Sequence, residues 1–442
     1  MRTPIIDFLH RYAESDAVRL HMPGHKGKGE CERYDLTEIE GADSLFYASG
    51  IIAESERLSG EIFGQDTFYS TEGSSLSIRA MLYLATLYTK SLGKEPLILA
   101  GRNAHKSLLS AASLIGFDIE WLSPKGESYL SLPVTAEEVK KKIDSMEKKP
   151  TALYLTSPDY LGGTVDIASI SAICKECGVL FLVDNAHGAY LKFLSPSRHP
   201  IDLGADMCAD SAHKTLHALT GAGYLHLSKN LPPFFKNGAK NAMEHFASTS
   251  PSYLILASLD GLTDRLSGEF CQELQIIVSK IEDLKHKLSD FGYDIFDGEP
   301  LKITLMPKSY GYLGTELCAH LSREGIYPEF SDPDFLVLMP SVDTTDEELA
   351  RLEEALLSLK KREPITDEPP ALSLPERKLT PREAFLSPYE EIPTENSAGR
   401  ILAAATVGCP PAVPIVVSGE LIDETAVRAF LYYGIKTVKV IK

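Results

Sequence analysis

Between residues 51 and 227 the chain switches repeatedly between short strand-type runs, most of them largely apolar, and longer segments of helical period. The runs 67–71, 97–100, 119–122, 152–156, 179–183, 206–209 and 224–227 have strand length and little polar alternation. A strand without alternation is covered on both faces. Segments 51–63, 74–92, 104–115, 135–146 and 167–177 carry the apolar spacing of helices. Such alternation predicts an α/β architecture, a mostly parallel sheet with helices on both sides. Ligands of open α/β sheets bind beyond the carboxyl ends of the strands. The polar residues just after each run are therefore the ones to read for chemistry.

The run 206–209 leads into Ser211-Ala-His213-Lys214-Thr215. A lysine at a strand end, flanked by a histidine and small hydroxyl residues, can sit in a pocket. Burial lowers its pKa and frees the amine as a nucleophile toward aldehydes. Thirty residues upstream, Leu182-Val-Asp184-Asn-Ala-His187 places an acid at another strand end. A lysine that attaches the cofactor and a carboxylate for the ring nitrogen are the pair that pyridoxal phosphate (PLP) enzymes use.

The run 67–71 passes into Glu72-Gly73-Ser74-Ser75 and then a long helix. Glycine there lets the backbone approach an anion, free N–H groups point at it and the hydroxyls add donors. The same residues would also serve as a simple helix cap. After 97–100 comes Gly101-Arg-Asn-Ala-His105, which sets His105 at the start of the next helix. There it can stack on an aromatic cofactor or play a structural part. The Gly- and Pro-containing loop His21-Met-Pro-Gly-His25-Lys-Gly27 suits anion or substrate contact.

Net charge is −18, from 62 acidic against 44 basic residues, which argues against nucleic-acid binding through a general basic surface. No run approaches the roughly 18 apolar residues of a membrane span. The N-terminus has no signal-peptide pattern. The seven cysteines are scattered, and Cys174-Lys-Glu-Cys177 falls on an expected helix with no second such pair. Reduced thiols, a cytoplasmic location and no metal site are the expectation.

Within 1–20 an amphipathic helix is expected to end near Asp16. Small acidic clusters at Glu38 and Asp43 are candidates to meet a cationic substrate group. Residues 254–290 read as mostly helical. A smaller α/β unit follows, with strands at 302–306 and 335–339 and helices near 313–324 and 346–362. Pro364, Pro369, Pro370, Pro375 and Pro381 mark 363–381 as a linker or extended wrap.

The ordered landmarks HMPGHKG (21–27), STEGSS (70–75), GRNAHKS (101–107), VDNAHG (183–188), SAHKT (211–215), STSPSYLILASLDG (248–261), SAGRI (397–401) and PPAVP (410–414) span nearly the whole chain. Together they resemble the Orn/Lys/Arg decarboxylase family of fold-type I PLP enzymes. The resemblance implies an aspartate aminotransferase-like large domain plus smaller C-terminal α/β domains. The expected division is an arm and substrate loop at 1–50, a PLP-binding domain at 51–290, a small domain at 291–365 and a decarboxylase-type domain at 366–442.

By the same resemblance, Lys214 would carry PLP covalently and Asp184 would keep the ring nitrogen protonated. His105 would stack on the ring, and His187 would lie near its hydroxyl edge. Gly73, Ser74, Ser75, Ser211 and His213 would surround the phosphate, with Thr249 reaching it from a partner subunit. The implied reaction is decarboxylation of arginine, lysine or ornithine to a polyamine precursor. The chain starts close to the PLP-domain arm, without the N-terminal wing domain of longer members, so a homodimer is expected rather than a ring of dimers.

Several positions depart from the family. Asn185 stands for a usual Glu, Ser157 for Asn and Asp159 for Thr, while Ala404 and Cys409 stand where Glu and Tyr are common. These leave the cofactor residues intact and touch the substrate side. Two other readings share the cofactor site: an aminotransferase or lyase, and a non-catalytic PLP-binding protein. An aminotransferase needs a fixed cation for the substrate carboxylate, and Arg400 is the one candidate.

Overall fold

In the computed structural model, residues 2–123, 128–371, 374–404 and 411–442 are described. The N-terminal part contains α1 (Pro4–Ala13), α2 (Ile51–Phe63), β1 (Asp66–Ser70), α3 (Gly73–Ser91), β2 (Leu97–Ala100), α4 (Lys106–Ile115) and β3 (Asp118–Trp121). Next come α5 (Ala136–Ser145), β4 (Ala152–Thr156), α6 (Ile167–Cys177), β5 (Leu180–Asp184), β6 (Met207–Asp210), α7 (Ala212–Thr215) and β7 (Gly223–Leu227). Helices α8 (Pro233–Glu244), α9 (Tyr253–Leu266) and α10 (Phe270–Phe291) lead to β8 (Asp294–Ile295) and β9 (Ile303–Met306). After these come α11 (Gly314–Arg323), β10 (Phe330–Ser331), β11 (Leu336–Leu338) and α12 (Asp346–Leu357). The C-terminal part holds α13 (Pro381–Phe385), β12 (Tyr389–Pro393), β13 (Leu402–Ala404), α14 (Glu424–Tyr432) and β14 (Thr437–Ile441).

The strands form a seven-stranded sheet of order β1-β7-β6-β5-β4-β2-β3, a four-stranded sheet β10-β11-β9-β8 and a three-stranded sheet β12-β14-β13. The expected architecture, a large mostly parallel sheet plus smaller C-terminal α/β parts, is the one observed. In the large sheet β7 is the reversed strand, antiparallel to both β1 and β6. Strands β5 and β6 run parallel, with Asp184 opposite Ala209. Their carboxyl ends therefore emerge together, which brings the segments carrying Asp184 and Lys214 to one edge.

Contacts divide the chain into two compact units. The first comprises Met1–Pro96, Thr151–Tyr154 and Ile167–Glu273. Its core includes Phe63, Tyr69, Met81, Leu84, Phe181, Tyr224 and Phe235, all fully buried. The apolar helix α3 is fixed at its start by Ser70, whose hydroxyl donates to Gly73 O at 2.7 Å and accepts from Glu72 N–H. Helix α1 stops at Ala13, short of the expected Asp16. The segment expected to be mostly helical, 254–290, is two helices parted at Ser267-Gly268-Glu269.

The second unit comprises Leu97–Pro150, Leu155–Asp166 and Leu274–Lys442. One cluster in it joins Leu130, Tyr160, Leu161, Phe330, Phe335, Val337 and Val413. A second, around Leu402, Ile422, Phe430, Val438 and Val440, is the core of the C-terminal sheet and α14. The Pro-rich segment is an extended wrap. Its Ile365 N–H bonds Lys308 O, the preceding Arg362 N–H bonds Tyr310 O, and Arg377 pairs with Asp118.

Candidate active site

The first unit gathers nearly all the expected site residues. Lys214 lies on the one-turn helix α7 that follows β6, and its Nζ is 2.9 Å from His187 Nε2. His187 lies just after β5, in the turn that begins with Asp184. The Asp184 carboxylate is buried. It accepts from the Tyr154 hydroxyl at 3.0 Å and from the Ala186 N–H at 3.2 Å. Burial pushes this carboxyl up, against the pull of Lys214, Tyr154 and the Ala186 N–H. An acid so placed is stabilised as an anion when a cation docks on it.

Gly73 begins α3 with φ +67°, a left-handed conformation that glycine adopts at little cost. Its N–H is spent on Gly221 O at 2.7 Å. A helix start leaves first-turn N–H groups facing outward, where an anion is favoured. Ser211 Oγ donates to Ser74 Oγ at 2.8 Å, so two hydroxyls meet at this helix end. The His213 ring is 2.9 Å from Ala222 O through Nδ1, and a Cβ added at Gly73 would lie 3.7 Å from its Cε1. Burial holds His213 below its ordinary value, with Lys214 acting in the same sense and the Ala222 carbonyl opposing. Gly223 lets β7 pass close behind the loop. A Cβ there would lie 2.9 Å from both Asp210 O and Gly73 C, and 3.1 Å from Ser74 N.

Donor groups for a phosphate, an amine beside an imidazole and a buried carboxylate fit PLP in kind. Thr249 is exposed on the loop after α8. Its neighbour Ser248 donates its N–H to Glu72, the residue before Gly73. His105 belongs to the second unit, where it caps α4: Nδ1 accepts from Ser107 N–H at 3.1 Å and lies 2.7 Å from Ser107 Oγ.

The departures have local explanations. Asp159 is a buried turn acid that accepts from Ser131 Oγ and the Leu161 and Gly163 N–H groups. Burial, only partly offset by these donors and Lys302, raises it to about 6. Ser157 accepts from Val165 N–H. Ala404 ends β13, and Cys409 lies outside the described residues.

Two candidate charges are already engaged. Asp43 receives the N–H groups of Ser44, Ser49, Gly50, Ile52 and Ala53, so it brackets the start of α2. Five amide donors thus converge on the carboxylate named as a candidate to meet a cationic substrate group. Arg400 bonds Glu390 and Ile441 O. It is tied into the C-terminal sheet rather than set for a substrate carboxylate.

Sequence reasoning missed Tyr154, because an aromatic inside an apolar strand run reads as core. It also missed Asp210, considered below.

The family model described as Orn/Lys/Arg decarboxylase, major domain, matches residues 3–297. The chain belongs to the Orn/Lys/Arg decarboxylase family. An arginine decarboxylase of Bacillus subtilis is 29% identical over 96% of this chain and 91% of its own length. One of Bacillus anthracis is 28% identical over 96% and 91%. Among solved structures, the lysine decarboxylase LdcF of Francisella novicida superposes with a TM-score of 0.81 at 19% identity, over 100% of this chain and 81% of that one. This last likeness concerns the fold.

Proposed function

We propose that the chain is a PLP-dependent carboxy-lyase of a basic amino acid, with arginine foremost and lysine or ornithine next. The products would be agmatine, cadaverine or putrescine. The observation that carries this reading is Lys214, set 2.9 Å from His187 and near the buried Asp184, in a chain of this family. Relatives named arginine decarboxylase support the order of substrates.

Bound PLP supplies a sink for the electron pair left at Cα when CO2 departs. Lys214 would attach the cofactor, and its ammonium form would give Cα the proton that replaces CO2. Asp184 would hold the proton on the ring nitrogen, and Tyr154 orients Asp184. Gly73, Ser74, Ser75, Ser211 and His213 would hold the phosphate. His187 orients the Lys214 amine and would lie by the cofactor's hydroxyl group, and His105 would stack on its ring. With Ala404 in place of the family's Glu and Asp43 engaged elsewhere, the cationic end of the substrate meets another carboxylate.

We assign the protein to the cytoplasm as a homodimer in which Thr249 completes the partner's phosphate site. Mixed dimers of Lys214→Ala and a Thr249 variant should regain part of the activity through one intact site. The decisive assay is incubation with PLP and each basic amino acid. CO2 and the matching amine should appear, and borohydride should trap the cofactor on the Lys214 peptide. Faster turnover of leucine than of all three basic amino acids, or a label on another lysine, would overturn the reading.

A further inference from the structure

Asp210 ends β6, four residues before Lys214, and its side chain is fully buried. Asn185, the residue after Asp184, donates from Nδ2 to Asp210 Oδ1 at 2.8 Å. The Cys208 thiol donates to the same oxygen at 3.4 Å. Asp210 Oδ2 lies 2.8 Å from His199 Nε2 and 3.2 Å from His226 Nε2. His199 Nδ1 accepts the Ile201 N–H, so its proton is assigned to Nε2. His226 Nδ1 is 3.0 Å from the Thr67 hydroxyl, which can donate to it, and with Nε2 facing the Asp210 carboxylate its proton is assigned to Nε2. Burial also disfavours a charged His226. Both imidazoles thus donate through Nε2, and four hydrogen-bond donors converge on the buried Asp210 carboxylate.

The sulfur, imidazole and carboxylate atoms of His199, Cys208 and Asp210 lie within 4.8 Å of one another. Metal binding would need a thiolate. Here the thiol is a donor to Asp210, and burial pushes it well above its ordinary value. The arrangement is a hydrogen-bond network.

Its position gives it a task. The Asn185 N–H bonds Ala209 O at 3.0 Å and the Asn185 side chain bonds Asp210, so β5 and β6 are tied twice where they release Asp184 and Lys214. We propose that Asp210, held by His199, His226 and Asn185, is a positioning residue that fixes these two strand ends and acts as a second buried anion behind Asp184. It thereby favours protons held by the cofactor's ring and its lysine attachment. The same geometry explains Asn185. A glutamate there would bring a second carboxylate against Asp210, whereas the amide supplies a donor. Besides its network partners, the charged or titratable groups facing Asp210 are Asp184 and Tyr224, with Lys214 and Tyr154 acting through Asp184, Asp202 through Cys208 and Lys192 through His226.

The proposal rests on the cofactor reading of Lys214 and Asp184, and its test separates the two. The pH at which the visible band of PLP-loaded protein titrates is measured for wild type, Asp210→Asn and the exchanged pair Asn185→Asp/Asp210→Asn, with thermal melting alongside. Removing an anion disfavours the protonated form, so Asp210→Asn should titrate about one pH unit lower. The exchanged pair keeps one carboxylate and one amide, and should titrate at or above wild type. It also provides the test if the single variant does not fold. If Asp210→Asn melts earlier but titrates as wild type, Asp210 is merely structural. If the exchanged pair takes up PLP yet titrates well below wild type, the electrostatic role fails. If wild type develops no PLP band, the cofactor reading and this proposal fall together.

Discussion

Tyr154 donates its hydroxyl to Asp184 across 3.0 Å, and both side chains are buried. They come from adjacent strands, β4 and β5, so the acid is oriented by the sheet itself. The hydroxyl lowers Asp184 against the burial that raises it. Tyr154→Phe should bind PLP, lose about tenfold in kcat and shift the acid limb of its pH profile upward. Steady-state rates across pH check this. An unchanged profile would remove Tyr154 from the site.

Asp184→Asn should still take up PLP, since the phosphate groups are untouched. Asparagine cannot hold the ring proton by charge, and kcat should fall by about a hundredfold or more. Cofactor titration and turnover on one preparation separate the two effects. Near-wild-type kcat would contradict the role given to Asp184.

The buried pair Arg102–Glu420, 2.7 Å apart, ties the end of β2 to the segment before α14. Burial disfavours both charges, and each partner compensates the other. Glu420→Gln leaves a buried guanidinium without its counter-charge and should cost about 3 kcal/mol. The double change Arg102→Met/Glu420→Leu should cost much less, because no charge is stranded. Urea unfolding measures both.

Asp43 gives a pH-dependent contribution to stability. Burial works to raise its carboxyl, but the N–H groups of Ser49, Ser44, Gly50 and Ala53 outweigh it and hold the folded value low. A depressed folded pKa stabilises the fold above the unfolded value, about 3.9, and the benefit is lost as pH falls through the folded value. Asp43→Asn should lower stability at pH 7 by about 1 kcal/mol. It should also lose less than wild type between pH 5 and 3, as thermal melts at each pH will show.

The strand runs were legible because continuous apolar stretches bounded by Gly, Ser and Asp have few alternatives. Lys214, Asp184 and Gly73 were legible for the same reason, standing where those runs end. The amides around Asp43 were not legible, because an acid in a loop does not reveal which N–H groups will turn toward it. The Asp210 network was invisible: Thr67, Asn185, His199, Cys208 and His226 meet only through strand pairing and a loop return. Helix α8 was not foreseen either. It begins Pro-Phe-Phe, and its Gly238 sits inside the helix, where glycine lowers the local signal.

Gly223 has a consequence for what the chain can tolerate. Three backbone atoms from two different segments, Asp210 O, Gly73 C and Ser74 N, already occupy the space a methyl group would take. None can swing aside as a side chain does. A saturation library at position 223 would return glycine alone, and even alanine would force the start of α3 and the end of β6 away from each other. The chain's least reactive residue is thus among its least replaceable.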